Sequence, residues 1–209
     1  GIPVVSFNND DSEGAAGNCR MAYMGQDMVS TGYVIAKRMI EEHGIGEGDL
    51  VFTPVEWPEA VYAGLRQRGV DMALEEVGAV SETVGTTSNP AEAQTTMVQY
   101  LLGHPETKAI IALGLTPNTV AAAAADEAGL GDIPIGGFDL SLDIVDGLKS
   151  GRLTATVDQQ PYSQGFYPIA QLYLANKYGL FPSDMDTGGL GLVDGSNVDV
   201  VAPLVGTYR

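Results

Sequence analysis

The chain has 209 residues, 44% of them hydrophobic, and carries 27 acidic against 10 basic side chains for a net charge of -17. That length supports one medium domain or two small lobes around a buried core. A field of this sign repels phosphate backbones and argues against nucleic-acid binding, and no run reaches the roughly 18 consecutive apolar residues of a membrane span.

The sequence opens with Gly1-Ile-Pro-Val-Val, already the edge of a strand predicted over 2–7. No targeting segment stands before it, and an opening on a core strand leads us to expect a piece upstream. The run Asn8-Asn-Asp-Asp-Ser12 has turn chemistry, and the single Cys19 excludes an internal disulfide. Val29, Tyr33, Ile35, Ala36, Met39 and Ile40 give a helix over 26–42 its buried face, and Gly44 stops it. A strand over 50–54 runs to Glu56-Trp57, and Pro58 reads as the first-turn proline of a helix over 58–75. After a strand over 79–84, Asn89-Pro-Ala-Glu92 is a helix start: Asn caps, Pro fits the first turn and Glu can reach back to the cap. A strand over 109–113 meets the polar segment 114–118, and the alanine run 121–125 suits a helix lying close on a sheet.

Ile133-Pro-Ile-Gly-Gly-Phe-Asp139 is a short apolar run that stops at a carboxylate, with a helix over 140–150 behind it. A strand over 153–158, a helix over 161–178 and a Gly-rich segment 187–209 with short β-prone pieces complete the chain. The alternation defines an α/β fold, a parallel sheet with helices on both faces. Polar or aromatic tips at Asn8-Asn9, Glu56-Trp57, 114–118 and Asp139 are how such sheets present contacts to a small polar ligand. For an enzyme the chain is poorly equipped: it has no nucleophile elbow, P-loop or GxGxxG, and no second carboxylate that the sequence puts beside Asp139. His43 and His104 lack metal-ligand spacing, so neither a metal nor a cofactor is expected.

In order and spacing, Ile2-Pro-Val-Val-Ser-Phe-Asn-Asn, Arg66-Gln-Arg-Gly69, Gly136-Gly-Phe-Asp139 and Ala155-Thr-Val-Asp-Gln-Gln-Pro161 resemble the periplasmic sugar-binding proteins of the ribose-binding type. These are substrate-binding components of ABC transporters, and they share the type I periplasmic binding protein fold with LacI-type repressor cores. The resemblance implies two Rossmann-like lobes joined by three crossings, with a sugar in the cleft between them. It makes 26–157 a complete C-terminal lobe, 1–22 and 160–186 a remnant of the N-terminal lobe, and 187–209 the third hinge crossing and tail. Roughly 100 residues of the N-terminal lobe would then be missing upstream, and the truncated chain could self-associate through the remnant. The implied function is capture of a monosaccharide or polyol in the periplasm, or on an extracytoplasmic lipid anchor, for an ABC transporter permease. The alternative, the ligand core of a LacI-type regulator, would need a helix-turn-helix upstream.

The resemblance also proposes contacts. Asp139 matches an aspartate that accepts hydrogen bonds from sugar hydroxyls, although its position also suits an N-cap. Arg68 matches the arginine of the Arg-x-Arg-Gly pattern, whose fork can serve two hydroxyls; of Arg66 and Arg68 one should turn inward, and this reading favours Arg68 over a solvated role. Gln159 matches a glutamine at a hinge crossing, where it could equally satisfy nearby backbone. Asn8 and Asn9 stand where ribose binders carry an Asp-Arg pair, which argues for a different polar ligand or a different grip. Trp57, the only tryptophan, either stacks on a sugar face or fills a core position. Gly114 and Thr116 replace a ligand-binding Asn, leaving Thr116 or backbone groups to substitute, and Ser88 replaces an aromatic.

Overall fold

The computed structural model describes residues 1–209 except 12, 14, 15, 17, 189 and 190, so the Ser12 end of the expected turn lies outside the described residues. Parallel strands β1 (Val5–Asn8), β2 (Ala22–Gly25) and a short strand Met185–Asp186 (β8) form a small sheet in the order β1-β2-β8. A larger sheet is built from β3 (Leu50–Val55), β4 (Val80–Gly85), β5 (Ala109–Ala112), β6 (Ile135–Phe138), β7 (Ala155–Val157) and β9 (Leu192–Asp194), in the order β4-β3-β5-β6-β7-β9. All its pairs are parallel except β7 with β9. The larger sheet therefore reaches past residue 157 and recruits part of the Gly-rich C-terminal segment.

Strand alternation sorts the larger sheet's apolar residues onto two faces. One face, with Val51, Ala109, Ile111 and Val157, packs on α1 (Met28–His43) and α2 (Val61–Glu75). The other, with Phe52, Ile110, Ile135 and Val193, packs on α3 (Pro90–Gly103), α4 (Leu115–Glu127), α5 (Leu142–Ser150) and the one-turn helix Val198–Val201 (α7). The helix α6 (Pro161–Tyr178) lies on the small sheet and buries only Gln164 and Pro168.

The Asn89 cap is as expected: its side chain accepts from the amides of Ala91 and Glu92, with Pro90 in the first turn. Pro58 is not in a first turn. A separate turn closed by the Ala60 amide on the Trp57 carbonyl (3.0 Å) precedes α2, which starts at Val61. Three segments carry the chain between the sheets: after β2, after β7 and after β8.

Candidate functional site

The C-terminal ends of β1, β3, β5 and β6 converge on a cleft of about 190 Å³ between the two sheets. Asn8, Asn9, Glu56, Trp57, Tyr62, Arg66, Gly114, Leu115, Asp139 and Gln159 line it, with Met28. A cavity of about 400 Å³ opens nearby between Asp10, Tyr23, Leu65 and Asp184. We take the smaller one as the site, because four strand ends and a buried cation meet there, as at the carboxyl edges of open α/β sheets generally.

Asp139 sits one residue past β6 in the left-handed region (φ 70°), a conformation that a non-glycine residue keeps only when its surroundings enforce it. They do so here. Its amide donates to the Val157 carbonyl (2.8 Å), its carbonyl accepts the Thr156 hydroxyl (2.8 Å), and its Oδ1 accepts the Gln159 side-chain amide. Asn118, buried on α4, donates to the neighbouring Phe138 carbonyl (2.9 Å). Helix α5 is capped by Ser141, whose side chain accepts from the Ile144 amide, so Asp139 is not its N-cap. Burial raises the pKa of Asp139 most; Arg66 and Gln159 oppose that shift, while the charges of Glu56 and Asp158 add to it.

Arg66, and not Arg68, is the inward arginine. Arg66 is 3% exposed, whereas Arg68 is solvent-exposed and does not reach the cleft. The buried stripe of α2 runs Ala63, Arg66, Gly69, Val70 and Ala73, and a residue two positions from Arg66 is turned about 200° round the helix. The Arg66 guanidinium donates to the Leu113 carbonyl (2.6 Å) and to Gln26 Oε1 (3.0 Å), lies 3.8 Å from Asp139 Oδ2, and stacks 4.1 Å above the Phe138 ring.

The remaining candidates divide. Asn8, also in the left-handed region (φ 66°), donates to Gln164 Oε1 (3.0 Å) and Gln159 Oε1 (3.4 Å), so the asparagine tip of β1 is tied to the crossing after β7. Asn9 and a half-exposed Trp57 stand at the mouth. Thr116 does not line the cleft: its amide donates to Glu56 Oε1 (2.8 Å), and Leu115 occupies the wall. The sequence gives no sign of Tyr62 as a site residue, and its reading sets Arg66 aside in favour of Arg68. The helical stripe through Ala63, Val70 and Ala73 was the available signal for Arg66. Glu56 was visible only as a strand tip, because nothing local reveals that a residue 60 positions away, Thr116, would hold it.

The cleft thus brings together side-chain amides, two carboxylates and one guanidinium. Residues 1–178 match the family model described as periplasmic binding protein domain, and the chain belongs to that family. It is 27% identical over 202 residues to a xylose/arabinose-binding protein of Sulfolobus acidocaldarius; the match covers 90% of this chain and half the length of that curated relative. Among solved structures it resembles a carbohydrate transporter from Acidothermus cellulolyticus 11B in complex with myo-inositol (26% identity, TM-score 0.83), covering 97% of this chain and 69% of that one. A solute-binding protein from Burkholderia graminis in complex with D-arabinose shares the fold at 24% identity (TM-score 0.82), over 94% of this chain and 68% of that one. These relatives are described as sugar-binding or carbohydrate-transport proteins, which does not favour the transcription-regulator alternative.

Proposed function

We propose that the protein containing this chain captures a simple sugar or related polyol outside the cytoplasm and delivers it to an ABC transporter permease. The observation that carries this reading is the cleft in which Asp139, Arg66, Gln159 and Asn8 meet. Paired hydroxyls need a charged acceptor beside planar donors and amides, and these side chains supply that set. The pentose- and inositol-binding relatives support the same ligand class. On this reading the larger sheet with α1–α5, β9 and α7 is one lobe, the small sheet with α6 belongs to a second, and the third crossing follows β8. Among the described residues no helix is long and apolar enough to cross a membrane.

Calorimetry on the full-length protein with D-xylose, L-arabinose, D-galactose and myo-inositol tests the reading. At least one should bind, and Asp139→Ala should weaken it by roughly 1.5–3 kcal/mol, about ten-fold to over a hundred-fold, through loss of a charged acceptor. Unchanged affinity in the variant would remove Asp139 from the site.

A further inference from the structure

Glu56 is a second carboxylate in the cleft, and the reading above leaves it without a role. It sits one residue past β3, is only 8% exposed, and both of its oxygens accept: Oε1 from the Thr116 amide in the first turn of α4 (2.8 Å), Oε2 from the Tyr62 hydroxyl (2.9 Å). Position 114 is fitted to it. A Cβ on Gly114 would stand 1.9 Å from Glu56 Oε2, so no side chain can occupy position 114 while Glu56 keeps this seat. The glutamate thus fills the space in which a residue on the β5–α4 loop would otherwise present its own side chain. Two hydrogen bonds leave a carboxylate with spare acceptor capacity, and it is a cleft-lining group.

The charge balance of the cleft follows from this exchange. Its charged lining groups are Glu56, Arg66 and Asp139, two negative and one positive. Arg66 is the single cation among them: its terminal nitrogens donate to the Leu113 carbonyl and Gln26 Oε1, its buried Nε has no hydrogen-bond partner among the described residues, and Asp139 Oδ2 at 3.8 Å already offsets its charge. The next charged pair along the crossing, Asp158 with Arg209, is self-compensating. The site therefore offers charged acceptors in excess of available cations. A ligand carboxylate entering it would face two protein carboxylates at short range, where partial burial leaves their repulsion weakly screened.

Resting on the sugar-binding reading, we propose that Glu56 is a specificity-determining residue: it accepts a hydroxyl or ammonium hydrogen of the ligand and excludes sugar acids by like-charge repulsion, so that the cleft selects neutral or amino sugars. Such rejection of a near-isosteric competitor is how binding sites gain selectivity that attractive contacts alone do not give.

The test is calorimetry on full-length wild type and Glu56→Gln with D-xylose, L-arabinose, D-galactose and myo-inositol against D-galacturonate and D-glucuronate. Wild type should bind its best neutral probe at least a hundred-fold more tightly than either uronate, and Glu56→Gln should narrow that ratio at least ten-fold. A uronate bound as tightly as the best neutral probe by wild type overturns the proposal even if the variant fails to fold. So does a folded variant whose ratio is unchanged. Neutral sugars binding with either of these results would leave the sugar-binding reading intact, whereas a wild type that binds none of the probes refutes that reading and this inference together.

Discussion

At the scale of single residues, the cleft rests on one buried cation whose surroundings are arranged to hold it. Arg66 satisfies a backbone carbonyl, an amide side chain and, at longer range, a carboxylate, while Phe138 and Tyr62 cover its faces. Removing it would leave the Leu113 carbonyl and Gln26 Oε1 without this donor and Asp139 without its neighbouring cation. Arg66→Ala is therefore expected to destabilise the protein by roughly 1–3 kcal/mol, whereas Arg68→Ala should stay within about 0.5 kcal/mol of wild type. Urea denaturation of the two variants checks this; similar losses would undo the assignment of Arg66 as the structural and cleft-facing arginine. The pair also shows what a sequence makes legible. The Arg-x-Arg-Gly segment announces a site helix, but the choice between its arginines depends on which helical stripe is buried. Glu56 is less legible still, since its role exists only through Gly114 and Thr116 far along the chain.

At the scale of elements, Gly69 of the same segment has a mechanical role. A Cβ there would lie 2.0 Å from the Val29 carbonyl oxygen, and one on Gly32 would lie 2.2 Å from the Arg66 carbonyl oxygen, so α1 and α2 cross with their backbones in contact. That crossing seats Arg66 against the cleft. Gly69→Ala should lower stability by about 1–3 kcal/mol or more, because backbone must move to admit the methyl group. Gly64→Ala, on the same helix with open space around it, should instead be neutral or stabilise by up to about 1 kcal/mol. Thermal unfolding of the two variants measures the contrast, and equal shifts would show that the helices do not meet at Gly69. The long elements could be read from periodicity and caps, with α3 starting at Asn89-Pro90 as its sequence dictates. The strands β2 and β8 go unread in the sequence, and β9 falls among the short β-prone pieces of the Gly-rich segment. The left-handed backbone at Asn8, Asp139 and Gln160 is likewise invisible, because tertiary contacts rather than glycine impose it.

At the scale of the whole molecule, the cleft sits where the chain passes between sheets, so its shape depends on the crossings. Gln160 binds the Thr187 carbonyl (2.9 Å), Gln164 binds the Thr187 hydroxyl (2.9 Å) and the Gln159 carbonyl (2.9 Å), and Arg209 pairs with Asp158. These bonds tie the segment after β7 to the segment after β8 and to the C-terminus. In the small sheet no strand of the described residues pairs with the outer edge of β1, Ile2, Val4 and Phe7 are exposed, and α6 leaves Phe166, Ile169 and Tyr173 in solvent. An unpaired strand edge beside exposed apolar side chains is a template for association. We therefore expect the 209-residue chain, expressed alone, to self-associate. Its net charge of -17 opposes close approach of copies, so association should strengthen as salt screens that repulsion. Light scattering across a salt series should give a mass above the 21.9 kDa of one chain that rises with ionic strength. Val4→Lys and Ile169→Glu together should return it to a single chain. A 21.9 kDa species at every salt concentration would mean that the open edge and the exposed helix face do not recruit a second copy.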